Sequence, residues 1–65
     1  MAETRTTWVT AGKDVITVYP DRSGEWRWHR RSTGNHEIIS ESGESYVDRA
    51  GAIEGAHRAN PDMGG

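Results

Sequence analysis

The chain has no cysteine, no leucine and no phenylalanine, and a single lysine, Lys13, among its 65 residues. Without cysteine there is no disulfide staple, no thiolate nucleophile and no zinc–thiolate site. Without leucine or phenylalanine the interior must be assembled from four valines, four isoleucines, three tryptophans, two tyrosines and two methionines. That is a thin supply for a domain of this size, and small domains usually need a staple or a partner. With disulfides excluded, self-association is the expected remedy. No uninterrupted apolar run exceeds two residues, so a membrane-spanning helix and a signal peptide are both excluded. Zero cysteine suits a cytoplasmic location.

What is present is strongly segregated by charge. Eight basic residues face ten acidic ones, for a formal charge of −2, which argues against global attraction to nucleic acid or anionic membranes. Residues 22–31 nevertheless hold Arg22, Arg27, Arg30 and Arg31 against Glu25 alone. Residues 37–48 hold Glu37, Glu41, Glu44 and Asp48 with no basic partner. Neighbouring segments of opposite sign suggest strands that lie side by side.

The local pattern reads as three antiparallel strands followed by one helix. Val15–Tyr19 is five β-favouring residues in a row, ended by the turn Pro20-Asp21-Arg22-Ser23-Gly24. Glu25–Arg31 alternates strictly, with Trp26 and Trp28 on one face and Arg27, His29 and Arg31 on the other. Ser32–Asn35 is a second turn, His36–Glu41 a third strand carrying Ile38-Ile39, and Ser42–Ser45 a loop leading to Tyr46. From Asp48, a suitable N-cap, Ala52, Ile53, Ala56 and Ala59 recur at helical spacing until Asn60-Pro61. Gly51 and Gly55 permit a close backbone approach. Residues 1–13 read as an arm or a short extra strand, since Thr6–Thr10 has β-favouring composition, and residues 61–65 read as a flexible tail. The expected core is Ile16, Val18, Trp26, Trp28, Ile39, Ile53 and Ala56, with Tyr46 anchoring the loop before the helix.

Chemistry-bearing patterns are sparse. His29, His36 and His57 show no ligand spacing for zinc, no serine sits in a nucleophile-elbow setting, and Glu44 and Asp48 are a loop residue and a cap. The reading is therefore a protein that is not an enzyme, with no cofactor, metal or catalytic residue. The pattern Trp-Arg-Trp-His-Arg-Arg admits a nucleic-acid surface built on Arg22, Arg27, Arg30 and Arg31. Geometry weighs against it: if the tryptophans face the helix, stacking and charge fall on opposite sides. A sheet edge open to strand addition by a protein partner is a third possibility.

The ordered set Ile16-Thr17-Val18-Tyr19, Gly24-Glu25-Trp26-Arg27-Trp28, Asn35-His36-Glu37-Ile38-Ile39 and Ser42-Gly43-Glu44-Ser45-Tyr46, then Arg49, Ala52-Ile53 and Gly55, resembles the YegP-like domains of unknown function over residues 14–60. The resemblance implies an α+β fold, three strands plus a helix (βββα), with two copies assembling around one shared sheet and exchanging the segment after the helix. A single-repeat chain would then be half of a homodimer. The chain departs from the pattern in places. His36 stands where glycine is usual, which predicts a wider turn or Asn35 at positive φ, and Arg30 stands where an apolar residue is common. Ala56 and Ala59 replace larger aliphatics. Residues 60–65 are poor strand material, leaving Thr6–Thr10 as a substitute edge. The functional expectation is a small dimeric interaction or structural module, with the nucleic-acid module as the alternative.

Overall fold

The computed structural model describes residues 5–63. It is an α+β structure of four strands and a helix in the order β1 (Thr6–Val9), β2 (Val15–Pro20), β3 (Trp26–Arg31), β4 (Ile38–Glu41) and α1 (Arg49–Ala59). The strands form one antiparallel sheet in the order β1-β2-β3-β4, and α1 packs against β2 and β3. Residues 1–4 of the expected arm and Gly64-Gly65 of the expected tail lie outside the described residues.

Four strands replace the expected three. The added strand is β1, whose register pairs Thr6 with Val18 and Trp8 with Ile16. Its turn explains why so short and polar a segment is held. Thr10 N–H donates to the Asp14 carbonyl at 2.8 Å, and Asp14 N–H donates to Thr10 Oγ1 at 3.0 Å. Lys13 takes the left-handed conformation at φ 69° to close the loop. The 3.0 Å bond is made by the threonine hydroxyl, so the turn depends on that side chain.

Turn two is an Asx turn. Asp21 Oδ1 accepts from Ser23 N–H at 2.9 Å and from Glu25 N–H at 3.0 Å, while Gly24 sits at φ 88°. In turn three His36 itself, not Asn35, adopts positive φ (63°). The turn is secured by Ser32 N–H to the Glu37 carbonyl and by His36 N–H to the Ser32 carbonyl, both at 2.9 Å. Asp48 caps α1 as expected, with Oδ1 accepting from Gly51 N–H at 2.8 Å. His57 and Arg58 lie in the last turn, where the helix dipole favours cations.

The core lies between α1 and one sheet face: Ile16, Val18, Trp28, Ala52, Ala56 and Met63 are buried, and Trp8, Trp26, Tyr46 and Ile53 pack against them. Seven of the eight expected core residues are in this cluster; Ile39 is not, being 54% exposed. Ser40 pairs with Arg30, which is in register with the buried Ile16, so alternation turns Ile39 to the other side of the sheet. Arg30 pairs with Ser40 but Arg31 pairs with Ile38, so Ile39 is the extra residue of a bulge, and α1 does not reach β4. Met63 enters the core instead, through a segment read as tail. Asn60 side-chain N–H donates to the Ala56 carbonyl at 2.9 Å, Met63 N–H donates to the Asn60 carbonyl at 2.9 Å, and the chain folds back on the sheet.

The paired helix glycines admit a side chain rather than the sheet. The Tyr46 ring lies across them, and a Cβ on Gly55 would stand 2.6 Å from Tyr46 Cζ. Tyr46 is in turn fixed to Trp26 by reciprocal backbone bonds of 2.8 Å.

Candidate functional site

Antiparallel register places directly paired residues on the same side of a sheet. On the helix-free side this gives three cross-strand rows. Val9, Val15, Arg31 and Ile38 form the first. Thr7, Thr17, His29 and Glu41 form the second, and Tyr19 with Arg27 form the third. Arg5 joins the third row, its guanidinium carbon 5.7 Å from the centre of the Tyr19 ring. Tyr19 and His29 lie 5.1 Å apart, centre to centre, inclined at 45°.

The four arginines of the expected basic patch part company. Arg30, in register with Ile16, is on the helix side, its side chain only 16% exposed. It donates from Nη2 to Asp14 Oδ2 at 2.9 Å, from Nη1 and Nη2 to the two oxygens of Asp62 at 2.9 and 2.8 Å, and from Nη1 to Asn60 Oδ1 at 3.2 Å. Those carboxylates hold the guanidinium further above its ordinary pKa, and the guanidinium in turn holds Asp62 below the usual carboxylate range. Arg30 is thus a clamp on the C-terminal segment, not part of a patch. Arg22 is exposed in the β2–β3 turn. Arg27 donates from Nε to Asp21 Oδ2 at 3.0 Å. Asp21, which accepts from Ser23 and from Arg27, is held at about 2. Arg31 donates to the His36 carbonyl at 2.6 Å and meets no carboxylate among the described residues.

Burial pushes the His29 imidazolium down from 6.5, and the charge of Arg31 pushes it further. Its Nδ1 is buried without a hydrogen-bond partner among the described residues, so the neutral ring is the form that the site holds at pH 7. The other two histidines are elsewhere: His36 in the β3–β4 turn, and His57 on α1 edge-on to Trp8 at 6.4 Å. On the opposite side an open cleft of about 470 Å³ runs between Tyr46 and α1, where Arg58 already pairs with Glu54 at 3.1 Å.

No family model, curated protein or solved structure matches the chain.

Sequence reasoning located Arg27, His29 and Arg31 on one face and missed what completes it. Tyr19 shares that face because Val18 pairs with Trp28 and Tyr19 therefore pairs with Arg27. The alternation Ile16, Val18 against Thr17, Tyr19 carried this information, and only the strand pairing was needed to use it. Among the described residues no helix is long and apolar enough to cross a membrane.

Proposed function

We propose that the chain is a non-enzymatic interaction module that works as a homodimer, with two copies joined β1 to β1 in one continuous sheet. The observation that carries this reading is the bare outer edge of β1. Thr10 bonds inward to Asp14, so by the antiparallel alternation the backbone groups of Thr7 and Val9 point away from β2. The strand Thr6-Thr7-Trp8-Val9 has no charge and no proline, the devices that normally protect an edge. Centred on Thr7, a twofold pairing sets Arg5 opposite Val9 and Thr6 opposite Trp8, with no like charges in contact. At the other edge, pairing two β4 strands about Ile39 would bring Glu37 against Glu41.

The core argues the same way. Helix α1 lies over β2 and β3 and reaches β1 through His57 against Trp8 and Arg49 to Thr6, which leaves Trp8 half-buried. A second copy at β1 would cover the tryptophan. The resemblance of residues 14–60 to YegP-like domains, whose short members pair around a shared sheet, supports the reading too.

Sedimentation equilibrium at tens of micromolar tests it. The expected mass is twice 7.2 kDa for the natural chain. The variant Thr7→Pro, which loses an outward N–H but no bond to β2, is expected to sediment as one chain with an unchanged circular dichroism spectrum. A natural chain that sediments at 7.2 kDa while folded overturns the proposal.

A further inference from the structure

We infer that the helix-free face binds single-stranded nucleic acid, with Tyr19 and His29 as the stacking surface and Arg27 and Arg31 as the phosphate contacts. The site lies within one chain and does not depend on the dimer.

The obstacle to such a site was the separation of aromatic rings from positive charge, since Trp26 and Trp28 belong to the helix side. The pairing of β2 with β3 removes that obstacle. Tyr19 lies directly across from Arg27, and Thr17 directly across from His29, so two rings and two arginines meet on adjacent strands. Arg27, His29 and Arg31 follow one another at every second residue of β3, about 7 Å apart. A ring therefore lies between two cations along one strand, and a second ring lies across from the first cation. Successive bases and phosphates of an extended single strand present the same alternation of a π-face and a negative charge.

Arg27 and Arg31 keep capacity for a ligand. Arg31 spends one N–H on a neutral carbonyl. Arg27 uses Nε on Asp21, leaving its two terminal nitrogens without a partner among the described residues, and its side chain is 42% exposed. Arg5 lies over the Tyr19 ring, 5.7 Å from its centre, and would swing aside as a base stacks there. The neutral state of His29, caused first by burial and then by the charges of Arg31 and Arg5 with Glu41 opposing them, suits stacking. Glu41 lies directly across from His29 in the same row, so a bound strand would run along the β2 side of β3, past Tyr19 and Arg27, rather than toward β4. A duplex hides its base faces and could use only the arginines, which makes unpaired bases the preferred ligand.

Fluorescence anisotropy with labelled oligouridylate and oligothymidylate of about eight nucleotides, a duplex of the same length and tripolyphosphate as competitor tests the inference. Both single strands are expected to bind at 50 mM salt. The duplex should bind about tenfold more weakly, and the tighter of the two single strands identifies RNA or DNA as the source. Tyr19→Leu should weaken binding about tenfold. Arg31→Gln should lower the slope of log affinity against log salt by about 0.7. The Thr7→Pro chain should bind like the natural one, which keeps this result separate from the assembly. Absence of binding at 50 mM salt overturns the inference. So does unchanged affinity in Tyr19→Leu together with equal binding of the duplex. If Tyr19→Leu fails to fold, the double variant Arg27→Gln, Arg31→Gln decides: binding at natural strength by that chain overturns the site.

Discussion

Gly55 and Tyr46 fit one another so closely that either residue explains the other. Glycine inside a helix costs about 1 kcal/mol relative to alanine, so Gly55→Ala would stabilise an open helix. Here the new methyl meets the Tyr46 ring at 2.6 Å, and overpacking costs about 1–3 kcal/mol. The clash outweighs the helix gain. Gly55→Ala is expected to lose about 1 kcal/mol of stability in urea denaturation; a gain would show that the ring can swing clear. His29 makes a second prediction at this scale. Its folded pKa lies below 6.5, so the unfolded chain takes up the proton first as the pH falls. Stability is therefore full above 6.5 and declines as the pH drops through the window between the two values. Asp21, held at about 2, and Asp62, also lowered, act at lower pH with the same sign. Their contribution is present above the unfolded value of 3.8 and is lost as the pH falls through the folded values. Melting temperature followed from pH 8 to pH 2 should show two descending steps, and His29→Gln should remove only the upper one.

Among the elements, β2, β3 and α1 were legible because each carries its own signal: a β-branched run, strict alternation around two tryptophans, and an N-cap before a small-residue stripe. The edges were less so. Nothing within Thr6–Val9 distinguishes a paired strand from an arm; the decision is made by the Thr10–Asp14 turn and by the free side of β2. In β4 the pair Ile38-Ile39 does not itself say which isoleucine faces inward; the pairing of Ser40 with Arg30 turns Ile39 outward and the bulge turns Ile38 outward as well, so neither enters the core. The C-terminal segment is held by a contact 32 residues away in sequence, from Arg30 to Asp62, and local composition carries no trace of it. That contact is testable. Arg30→Gln leaves Asp14 and Asp62 facing one another without their cation and frees the segment that carries Met63. A loss of about 1–2 kcal/mol is expected. Amide exchange should quicken at Met63, whose N–H bonds to the Asn60 carbonyl, more than in β2. Equal quickening in both places would mean that Arg30 supports the whole sheet rather than the segment.

At the scale of the molecule the shortage of large apolar side chains turns out to be spread unevenly. The helix side is closed by two alanines, Met63 and the Tyr46 ring, whereas Val9, Ile38, Ile39 and Val47 remain exposed. The candidate site was half legible. Arginines and histidine could be placed by alternation, but Tyr19 needed the register. The proposed dimer adds a condition of its own: if half of the cover of Trp8 comes from a second copy, the melting temperature should rise with protein concentration.

The strand order β1-β2-β3-β4 has one more consequence. Every strand pairs with its neighbour in the chain, through turns that close on their own side chains, and no connection crosses the sheet. The backbone can therefore zip up hairpin by hairpin, beginning at the Asp21 turn, without first searching for distant partners. Such a chain should refold in milliseconds with a single exponential, and the closing of the Arg30 clamp would be among the last events to leave its mark on the rate of unfolding rather than of folding.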